Sequence, residues 1–369
     1  MGAGVWLGAI SHLENDDRIR VSVESLGADA VASSAIEGET LDRESVQSSI
    51  RRHFGLAFDA MRVRPAEQGM AEMMVDLVRS VADPLTHETL HRWQVHALRG
   101  RSDLRDVGRY RTHVGPMQIV SGRMHAPKVH FEAPPSVGVE REMERFLAWF
   151  NGDAGHGGPS TLARAGIAHL HFESIHPFED GNGRVGRAIA EKALAQCLSR
   201  RAGRPVWCPI ASALLARRGE YYAELGAASR SNDITRWLAW FAGIVLEAQA
   251  RAIDDIHFII EKSSMLARLQ DQLNARQTKV LLRMMREGSG GFEGGMTAGK
   301  YMAIARTSPA TTTRDLGELV ALGALERVGA KRSTRYDLAM PRRAAVRVRI
   351  GADGEVLHEG TAPSHGHFP

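Results

Sequence analysis

The sequence predicts a mainly α-helical protein that contains one short β-hairpin and, near its C-terminal end, a helix-turn-helix unit. Apolar residues recur at helical spacings, three to five positions apart, through most of the chain, as on a buried helix face. The clearest examples lie on both sides of one glycine-rich loop: Leu162, Ile167, Leu170 and Ile175 before it, and Val185, Ile189, Ala193 and Cys197 after it. Few segments show the alternation of a strand, so the helical class is favoured.

The composition is typical of a globular protein with a sizeable core. The chain has 369 residues, of which 43% are hydrophobic and 24% charged, and its formal net charge is +4. This length predicts more than one domain. No apolar run approaches the roughly 18 residues that cross a bilayer, and acidic residues interrupt the start where a signal peptide would stay apolar. We therefore expect a cytoplasmic protein with no membrane partner, in which Cys197 and Cys208 are core thiols.

Breaks in the helical pattern divide the chain into five segments. They are an N-terminal helical region at 1–65, a helical core at 66–245, a helical connector at 246–275, a helix-turn-helix unit at 276–340 and a tail at 341–369. Within the core segment, β-branched pairs on both sides of Ser121 and Gly122 predict a hairpin between Gly115 and Pro135, with its turn at the Ser-Gly pair.

The segment at 276–340 has the order helix, turn, helix and basic β-ribbon, which is the order of a winged helix. We expect Ser308 to cap the second helix, Pro309 to be its first residue and Gly329 to form the bend of the ribbon. Three residues of the second helix suit a DNA-reading surface: Thr311, Thr312 and Arg314. DNA is therefore one candidate partner, and a protein or a second copy of the chain is the alternative.

The stretch HPFEDGNGRVGR, from His176 to Arg187, predicts an anion-binding loop between two helices. The first helix must end near His176, because the proline after it disfavours helical geometry, and we expect the second to begin near Arg184. Gly181 and Gly183 let consecutive backbone N–H groups point toward one anion at the positive end of the second helix. An ordinary polar loop is the better interpretation of the GNG run alone, but not of the whole stretch.

Charged side chains around the loop indicate which anion binds. Arg184 and Arg187 share one face of the helix start, where they repel each other until a polyanion joins them. Asp180 suits a phosphate only if a divalent cation such as Mg²⁺ lies between them. The unperturbed pKa of a histidine suits His176 to the role of a general base. The set predicts transfer of a phosphoryl or nucleotidyl group to a hydroxyl.

The same stretch resembles the signature of the Fic/DOC family, H-x-F-x-D/E-G-N-G-R-x-x-R. Every specified position matches: His176, Phe178, Asp180, Gly181, Asn182, Gly183, Arg184 and Arg187. The resemblance implies a Fic-type helical core that moves AMP from ATP to a protein hydroxyl, with His176 as the base and Mg²⁺ or Mn²⁺ on Asp180. It also implies an anchoring role for Phe178 and these phosphate contacts: Asn182 and the backbone from Gly181 to Gly183, Arg184 on the β side, and Arg187 at the γ-phosphate.

Two further segments resemble the family. The hairpin is similar to the Fic flap, which pairs with the backbone of the target by strand addition. Its working edge would consist of Ile119, Val120, Ser121 and Gly122. The stretch RRGEYYAELGAAS is similar to the segment that closes over the adenine, with Tyr221 and Tyr222 as aromatic surface, although Ser229 stands where relatives often have an amide.

The stretch SSAIEGE matches the inhibitory-helix pattern of the family, S/T-x-x-x-E-G/N, through Ser33, Glu37 and Gly38. The resemblance implies that Glu37 pairs with Arg187 in the absence of nucleotide and competes with the γ-phosphate for it. In relatives the same glutamate can support removal of AMP, so a reverse reaction stays open. The alternative is a helix end with Glu37 exposed and Gly38 as its cap.

The main prediction is therefore an autoinhibited protein adenylyltransferase (AMPylase) that acts on a Ser, Thr or Tyr hydroxyl of a target protein or of itself. Two alternatives stay open. One is a transcriptional regulator in which the core only senses nucleotide and the winged unit binds DNA. The other is a kinase-type phosphotransferase as in the Doc branch, which the intact GNGR core disfavours. Relatives often pair, so a homodimer is a candidate assembly.

Overall fold

A computed structural model of the chain describes nine stretches. They are residues 15–56, 63–113, 118–123, 126–152, 158–203, 206–292, 294–341, 346–351 and 354–359. These stretches are mostly helical, which confirms the predicted class. They divide into two compact units, the first containing residues 18 to 252 with 346 to 359 and the second containing residues 253 to 341.

The helices follow the periodic segments of the sequence. In chain order they are α1 Asn15–Ile36, α2 Arg43–His53, α3 Pro65–Arg79, α4 His87–Ala97, α5 Ser136–Asn151, α6 Thr161–Ile175, α7 Asn182–Ala202, α8 Ala211–Ala216, α9 Arg218–Ala228, α10 Thr235–Leu269, α11 Ala275–Met285, α12 Ala298–Ala305 and α13 Pro309–Ala321. Helix α10 continues past residue 245, where the sequence analysis ended the core segment. None of the described helices combines the length and the apolar surface that a bilayer crossing requires.

Side-chain caps start two of the helices that surround the predicted loop. Asp42 accepts the backbone N–H of Ser45 at 2.8 Å at the start of α2. Thr86 accepts the N–H of Thr89 at 3.2 Å at the start of α4. In both cases a short polar side chain satisfies a donor that the first turn leaves unpaired.

The pair α6 and α7 lies at the centre of the first unit, where the two helices pack along each other. Helix α7 is buried on nearly all sides, as expected for a helix with small and apolar residues on every face. The apolar side chains that surround this pair come from α1, α3, α4 and α10, and include Ile36, Met70, Trp93 and Phe241. The loop that joins α6 to α7 is therefore held by several helices.

The predicted hairpin is present, but its turn is not at Ser121 and Gly122. Strands β1 Gln118–Arg123 and β2 Ala126–Glu132 are antiparallel, and Ser121 and Gly122 lie inside β1, opposite residues 128 and 127. The register pairs Arg123 with Ala126, and the two residues between them lie outside the described residues. The turn prediction was wrong because serine and glycine can also adopt extended backbone, and strand pairing decided the register.

The second unit has the predicted order of helix, turn, helix and ribbon, although its assignment as a winged helix stays a prediction. Ser308 accepts the N–H of Thr311 at 3.3 Å, Pro309 begins α13, and Gly329, with φ 78°, follows the first ribbon strand. The ribbon pairs β3 Leu325–Val328 with β4 Arg335–Leu338. Thr312 is 0% exposed, so its proposed contact with DNA is wrong. It lies one helical turn before the buried Leu316, on the core side of α13.

The C-terminal tail contains a strand pair that the sequence analysis did not predict. Strands β5 Arg347–Ile350 and β6 Val356–Glu359 are antiparallel. The backbone N–H of Val348 donates to the buried carboxylate of Glu247 in α10 at 2.8 Å. The alternation of arginine with valine and isoleucine in β5 is the signal that could have predicted this strand.

Candidate active site

The loop between α6 and α7 is bounded by two residues with left-handed backbone conformations. His176 ends α6 in the left-handed conformation, with φ 50° and ψ 58°. Helix α7 begins at Asn182 rather than near Arg184, after Gly181 at φ 90°. The side chain of Asn182 bonds to the backbone N–H and C=O of Phe178, at 2.9 and 2.8 Å. Both of its polar groups are therefore committed to the loop, so the predicted phosphate contact of Asn182 would have to come from its backbone.

Phe178 anchors this loop in the core, as the sequence predicted. Its ring is fully buried, 5.5 Å from the ring of Tyr110 and 6.2 Å from that of Phe172 between centroids. A buried aromatic ring of this size fixes the backbone on either side of it. The loop is therefore anchored to the core by Phe178 and stabilised by the hydrogen bonds of Asn182.

The carboxylate of Glu37, the residue directly after α1, occupies the place where the sequence predicted an anion. A Cβ atom added to Gly183 would lie 2.1 Å from Oε1 of Glu37, so this oxygen rests directly on the start of α7. The positive end of a helix favours a negative group at this position. Gly183 leaves room for it, because any side chain at residue 183 would collide with the carboxylate.

The same carboxylate binds Arg187. Nη1 of Arg187 lies 2.7 Å from Oε1 of Glu37, while Nε and Nη2 donate to the hydroxyl and the carbonyl of Ser33 at 2.9 and 2.8 Å. Burial opposes the charge of Arg187, but Glu37 more than offsets it, so the pKa of Arg187 is raised. Gly38, at φ 84°, ends the helix that presents these groups. The structure thus brings together Ser33, Glu37 and Arg187. Glu37 is also exposed at a helix end that Gly38 terminates, so the alternative interpretation of this stretch stays open beside the ion pair.

Arg184, like Arg187, has a carboxylate partner, and the sequence analysis missed it. Its Nη1 donates to Oε2 of Glu39 at 2.9 Å and to the carbonyl of Ala97 at 2.7 Å. The left-handed Gly38 turns the chain after α1, so Glu37 and Glu39 both reach the start of α7. The available signal was the second acid in SSAIEGE, one residue beyond the family pattern.

Asp180 is partly exposed and is held by a residue that the sequence analysis also missed. Its Oδ2 accepts from Nη1 of Arg101 at 3.0 Å, and Oδ1 accepts the N–H of Gly181 at 2.5 Å. Among the described residues, no three His, Cys, Asp or Glu side chains converge as a metal site. A single carboxylate, 38% exposed, fits a cation whose other ligands are phosphates and water, which is how Mg²⁺ is usually held beside nucleotides.

The side chain of His176 is 12% exposed, in a setting that keeps it neutral. Burial lowers its pKa to about 4. Its Nδ1 lies 3.7 Å from Oε2 of Glu173 and makes no hydrogen bond to the described residues. Burial, followed by the charge of Glu37, raises the pKa of Glu173 to about 8, so this carboxyl group carries a proton at neutral pH. The imidazole is therefore ready to accept a proton.

Glu173→Gln is expected to stabilise the protein progressively as the pH rises from about 5 to 8. The carboxyl group has a pKa of about 8 when folded, against 4.5 ordinarily. The stability that its proton contributes is complete below pH 4.5 and is lost as the pH approaches 8, by about 1 kcal/mol per pH unit. Glutamine keeps the shape without titrating. Urea unfolding at several pH values measures the difference, with the exposed Glu144→Gln as control, and a difference that does not vary with pH would contradict the expectation.

The two candidate adenine residues differ in exposure. Tyr221 is 1% exposed, and its hydroxyl bonds to Nε2 of His169 at 2.8 Å, so the prediction that its ring offers surface to a base is wrong. The hydroxyl of Tyr221 is satisfied by a buried partner, so the ring can lie in the core. Tyr222 is 42% exposed and its hydroxyl donates to the carbonyl of Ile36 at 3.2 Å. His169 is 0% exposed and is therefore a core histidine, and this burial lowers its pKa to about 3.

The flap residues Ile119 to Gly122 lie in β1, which is bonded to β2 in a two-stranded sheet in the described part of the chain. A strand in such a sheet has one side free of its partner, and strand addition uses that side. The expected role of this edge therefore stays a prediction that the backbone geometry permits.

Comparison with known proteins identifies the core. Residues 84–194, which include α4, the loop and the start of α7, match the model of the Fic/DOC family. This part of the chain is a Fic/DOC domain. Residues 1–56 match a second model, described as a domain of unknown function (DUF4172), and this span contains Glu37.

Similar proteins include a protein adenylyltransferase and solved structures. The protein adenylyltransferase fic-1 of Caenorhabditis elegans is 30% identical over 135 residues, a match that spans 35% of this chain and only 22% of that protein. A crystal structure of a Fic family protein from Desulfovibrio desulfuricans is 23% identical with a TM-score of 0.50, covering 91% of this chain and 94% of that one. This likeness shows the fold. A solved part of Fic-1 from C. elegans has a TM-score of 0.48 at 21% identity, covering 71% of each chain.

Proposed function

We propose that this protein transfers AMP from ATP to a hydroxyl group of a protein, and that Glu37 holds it in an inhibited state. The observation that carries the proposal is the position of the Glu37 carboxylate, bound to Arg187 and resting on Gly183 at the start of α7. The start of α7 suits an anion and has the neutral His176 beside it, and in this structure the carboxylate of Glu37 occupies that position.

The chemical step assigned to His176 is proton removal from the target. As the hydroxyl oxygen bonds to the α-phosphorus, the bond from that phosphorus to the bridging oxygen of the β-phosphate breaks and pyrophosphate leaves. The hydroxyl proton passes to His176, whose pKa of about 4 keeps it unprotonated beforehand. Because Nδ1 is buried, Nε2 is the nitrogen that receives the proton.

The groups at the start of α7 would hold the triphosphate. The backbone from Gly181 to Gly183 supplies N–H donors, and Arg184 and Arg187 supply charge-assisted hydrogen bonds. Mg²⁺ or Mn²⁺ on Asp180 would neutralise charge on the phosphates when bound. Arg101, at 3.0 Å from Asp180, orients that carboxylate.

The inhibition proposed for Glu37 has an electrostatic and a steric part. Arg187 cannot give its Nη1 to a γ-phosphate while Glu37 holds that atom at 2.7 Å. The carboxylate oxygen at Gly183 also lies where a phosphate oxygen would approach the helix start, and two anions repel each other there. ATP that enters beside Glu37 would therefore bind with its phosphates displaced from the position that His176 serves.

Glu39→Gln is expected to raise self-modification about five-fold, less than removal of Glu37. Glu39 is 36% exposed and Arg184 keeps its bond to Ala97, so the lost ion pair corresponds to about 1 kcal/mol. The initial rate of AMP incorporation measures the change. Glu144→Gln, which removes an acid elsewhere in the same unit, serves as control, and a Glu39→Gln rate equal to that of the parent would contradict a second inhibitory contact.

Nucleotide labelled at one phosphate tests the proposed reaction directly. Adenylyl transfer leaves the α-phosphate on the protein, whereas the kinase-type alternative leaves the γ-phosphate. Incubation of the Glu37→Gly variant with ATP labelled at either position therefore separates the two reactions. Label retained only from the γ position would overturn the proposal.

A further inference from the structure

Arg111 lies buried between the loop that carries His176 and the chain that leaves the hairpin. Its Nε donates to the carbonyl of His176 at 2.8 Å, and its backbone N–H donates to the carbonyl of Pro177 at 2.9 Å. On the other side, Nη2 donates to the carbonyl of Pro134 at 2.5 Å and Nη1 to the hydroxyl of Ser136 at 2.9 Å. One residue, 2% exposed, thus binds both segments.

The contacts of Arg111 explain how His176 keeps an unfavourable backbone conformation. A residue other than glycine at φ 50° persists only where its surroundings hold it. The N–H of His176 is bound by the carbonyl of Phe172 at 2.9 Å, which continues the bonding of α6. Its carbonyl and the next one along the chain are both bound by Arg111. The direction in which the imidazole leaves the backbone therefore depends on Arg111.

The other contacts of Arg111 connect this base to the hairpin. Strand β2 ends at Glu132, and Pro134 and Ser136 follow it directly. The hydroxyl of Ser136 in turn donates to the carbonyl of His113 at 2.6 Å, on the chain that enters the hairpin. The guanidinium is thus fixed to both ends of the hairpin and to the catalytic loop. A displacement of one would be transmitted to the other.

The charge of Arg111 also acts on His176. The hydrogen bonds of its side chain go to neutral carbonyl and hydroxyl groups, so its charge is not cancelled by these contacts. After burial, Arg111 contributes to the lowered pKa of His176. Glu37, Asp180 and the neighbouring Glu173 are the other titratable groups that face the imidazole, and the charges of Glu37 and Asp180 act in the opposite direction.

We propose that Arg111 is a positioning residue for AMP transfer, which fixes His176 at a set place relative to the hairpin that would hold the target. The proposal rests on the function proposed above. The hydrogen bonds of Arg111 go to His176, Pro177, Pro134 and Ser136 and not to the groups proposed to hold phosphate, so it acts through His176 and through the hairpin ends.

The titration of His176 followed by NMR tests this role without requiring activity. In Arg111→Gln the pKa of His176 is expected to rise by about 1, because a positive neighbour is lost. Arg111→Lys keeps the charge and is expected to leave this pKa near its original value. The matched control is Arg164→Gln, since Arg164 is a buried arginine of the same unit that bonds to the carbonyl of Phe150.

Activity in the Glu37→Gly background completes the test. Both Arg111 variants are expected to incorporate AMP at least about ten-fold more slowly, with the KM for ATP changed less than about two-fold, because the base is displaced while the phosphate site stays intact. Ser136→Ala removes one anchor with less risk to folding and is expected to lower the rate in the same direction. Should Glu37→Gly itself incorporate no AMP, the proposed function fails while the titration still decides the role of Arg111. An unchanged pKa in Arg111→Gln, or rates equal to the background in all three variants, would overturn the proposal.

Discussion

Glu37→Gly is expected to raise the rate of auto-AMPylation at least about ten-fold. The substitution removes the carboxylate 2.7 Å from Arg187 and clears the oxygen that rests on Gly183. A charge-assisted hydrogen bond contributes about 1.5–3 kcal/mol, and about 1.4 kcal/mol corresponds to a ten-fold change. The rate is measured as incorporation of label from ATP labelled at the α-phosphate.

Two further variants separate the effect of the charge of Glu37 from the effect of its size. Glu37→Gln keeps the size of the side chain and loses its charge, so its rate should lie between those of the parent and of Glu37→Gly if both steric and electrostatic parts operate. Glu144→Gln removes an acid on α5 and should match the parent. Equal incorporation by Glu37→Gly and the parent would remove the basis for the inhibitory role.

His176→Ala in the Glu37→Gly background is expected to lower AMP incorporation by about 10²- to 10⁴-fold while ATP binding is retained. The pKa of about 4 adds a second expectation, because a base is inactive once it is protonated. Because the charge of Glu37 raises this pKa, its loss in Glu37→Gly lowers the pKa of His176 further. The rate in Glu37→Gly should therefore stay level above pH 5 and decline only as the pH falls to about 4 or below, within the range where the protein stays folded.

The exposed His257→Ala on α10 is the control for this substitution and should keep the rate of the background. ATP binding measured by calorimetry on both variants separates a lost base from a lost site. If His176→Ala retained the full rate, the proton would have to leave by another route and the assignment of His176 would fall.

The local features of the site could be predicted from the sequence because neighbouring residues determine them. The proline after His176 ends α6, and the glycines that follow set the loop and the start of α7. The ion pair of Glu37 and Arg187 joins residues far apart in the chain, and only the resemblance to a family pattern predicted it. The placement of the ion pair at Gly183 needed the structure.

The features that the sequence analysis missed depend on distant residues for which no pattern was available. Glu39 reaches Arg184 across 145 positions, and Arg111 reaches the carbonyl of His176 across 65. An arginine in an irregular segment has no periodicity that would reveal its partners. Tyr221 is a residue that the sequence wrongly assigned to the site. Its place beside the site in the sequence predicted an exposed ring, whereas its hydroxyl bonds to a buried histidine.

Adenylyl transfer that depends on His176 can be read from the intact mass of Glu37→Gly after incubation with ATP and Mg²⁺, compared with the Glu37→Gly/His176→Ala double variant. We expect a gain of one or more adenylyl groups in the single variant and none in the double variant. A gain equal to a phosphoryl group, or no gain in the single variant, would contradict this expectation.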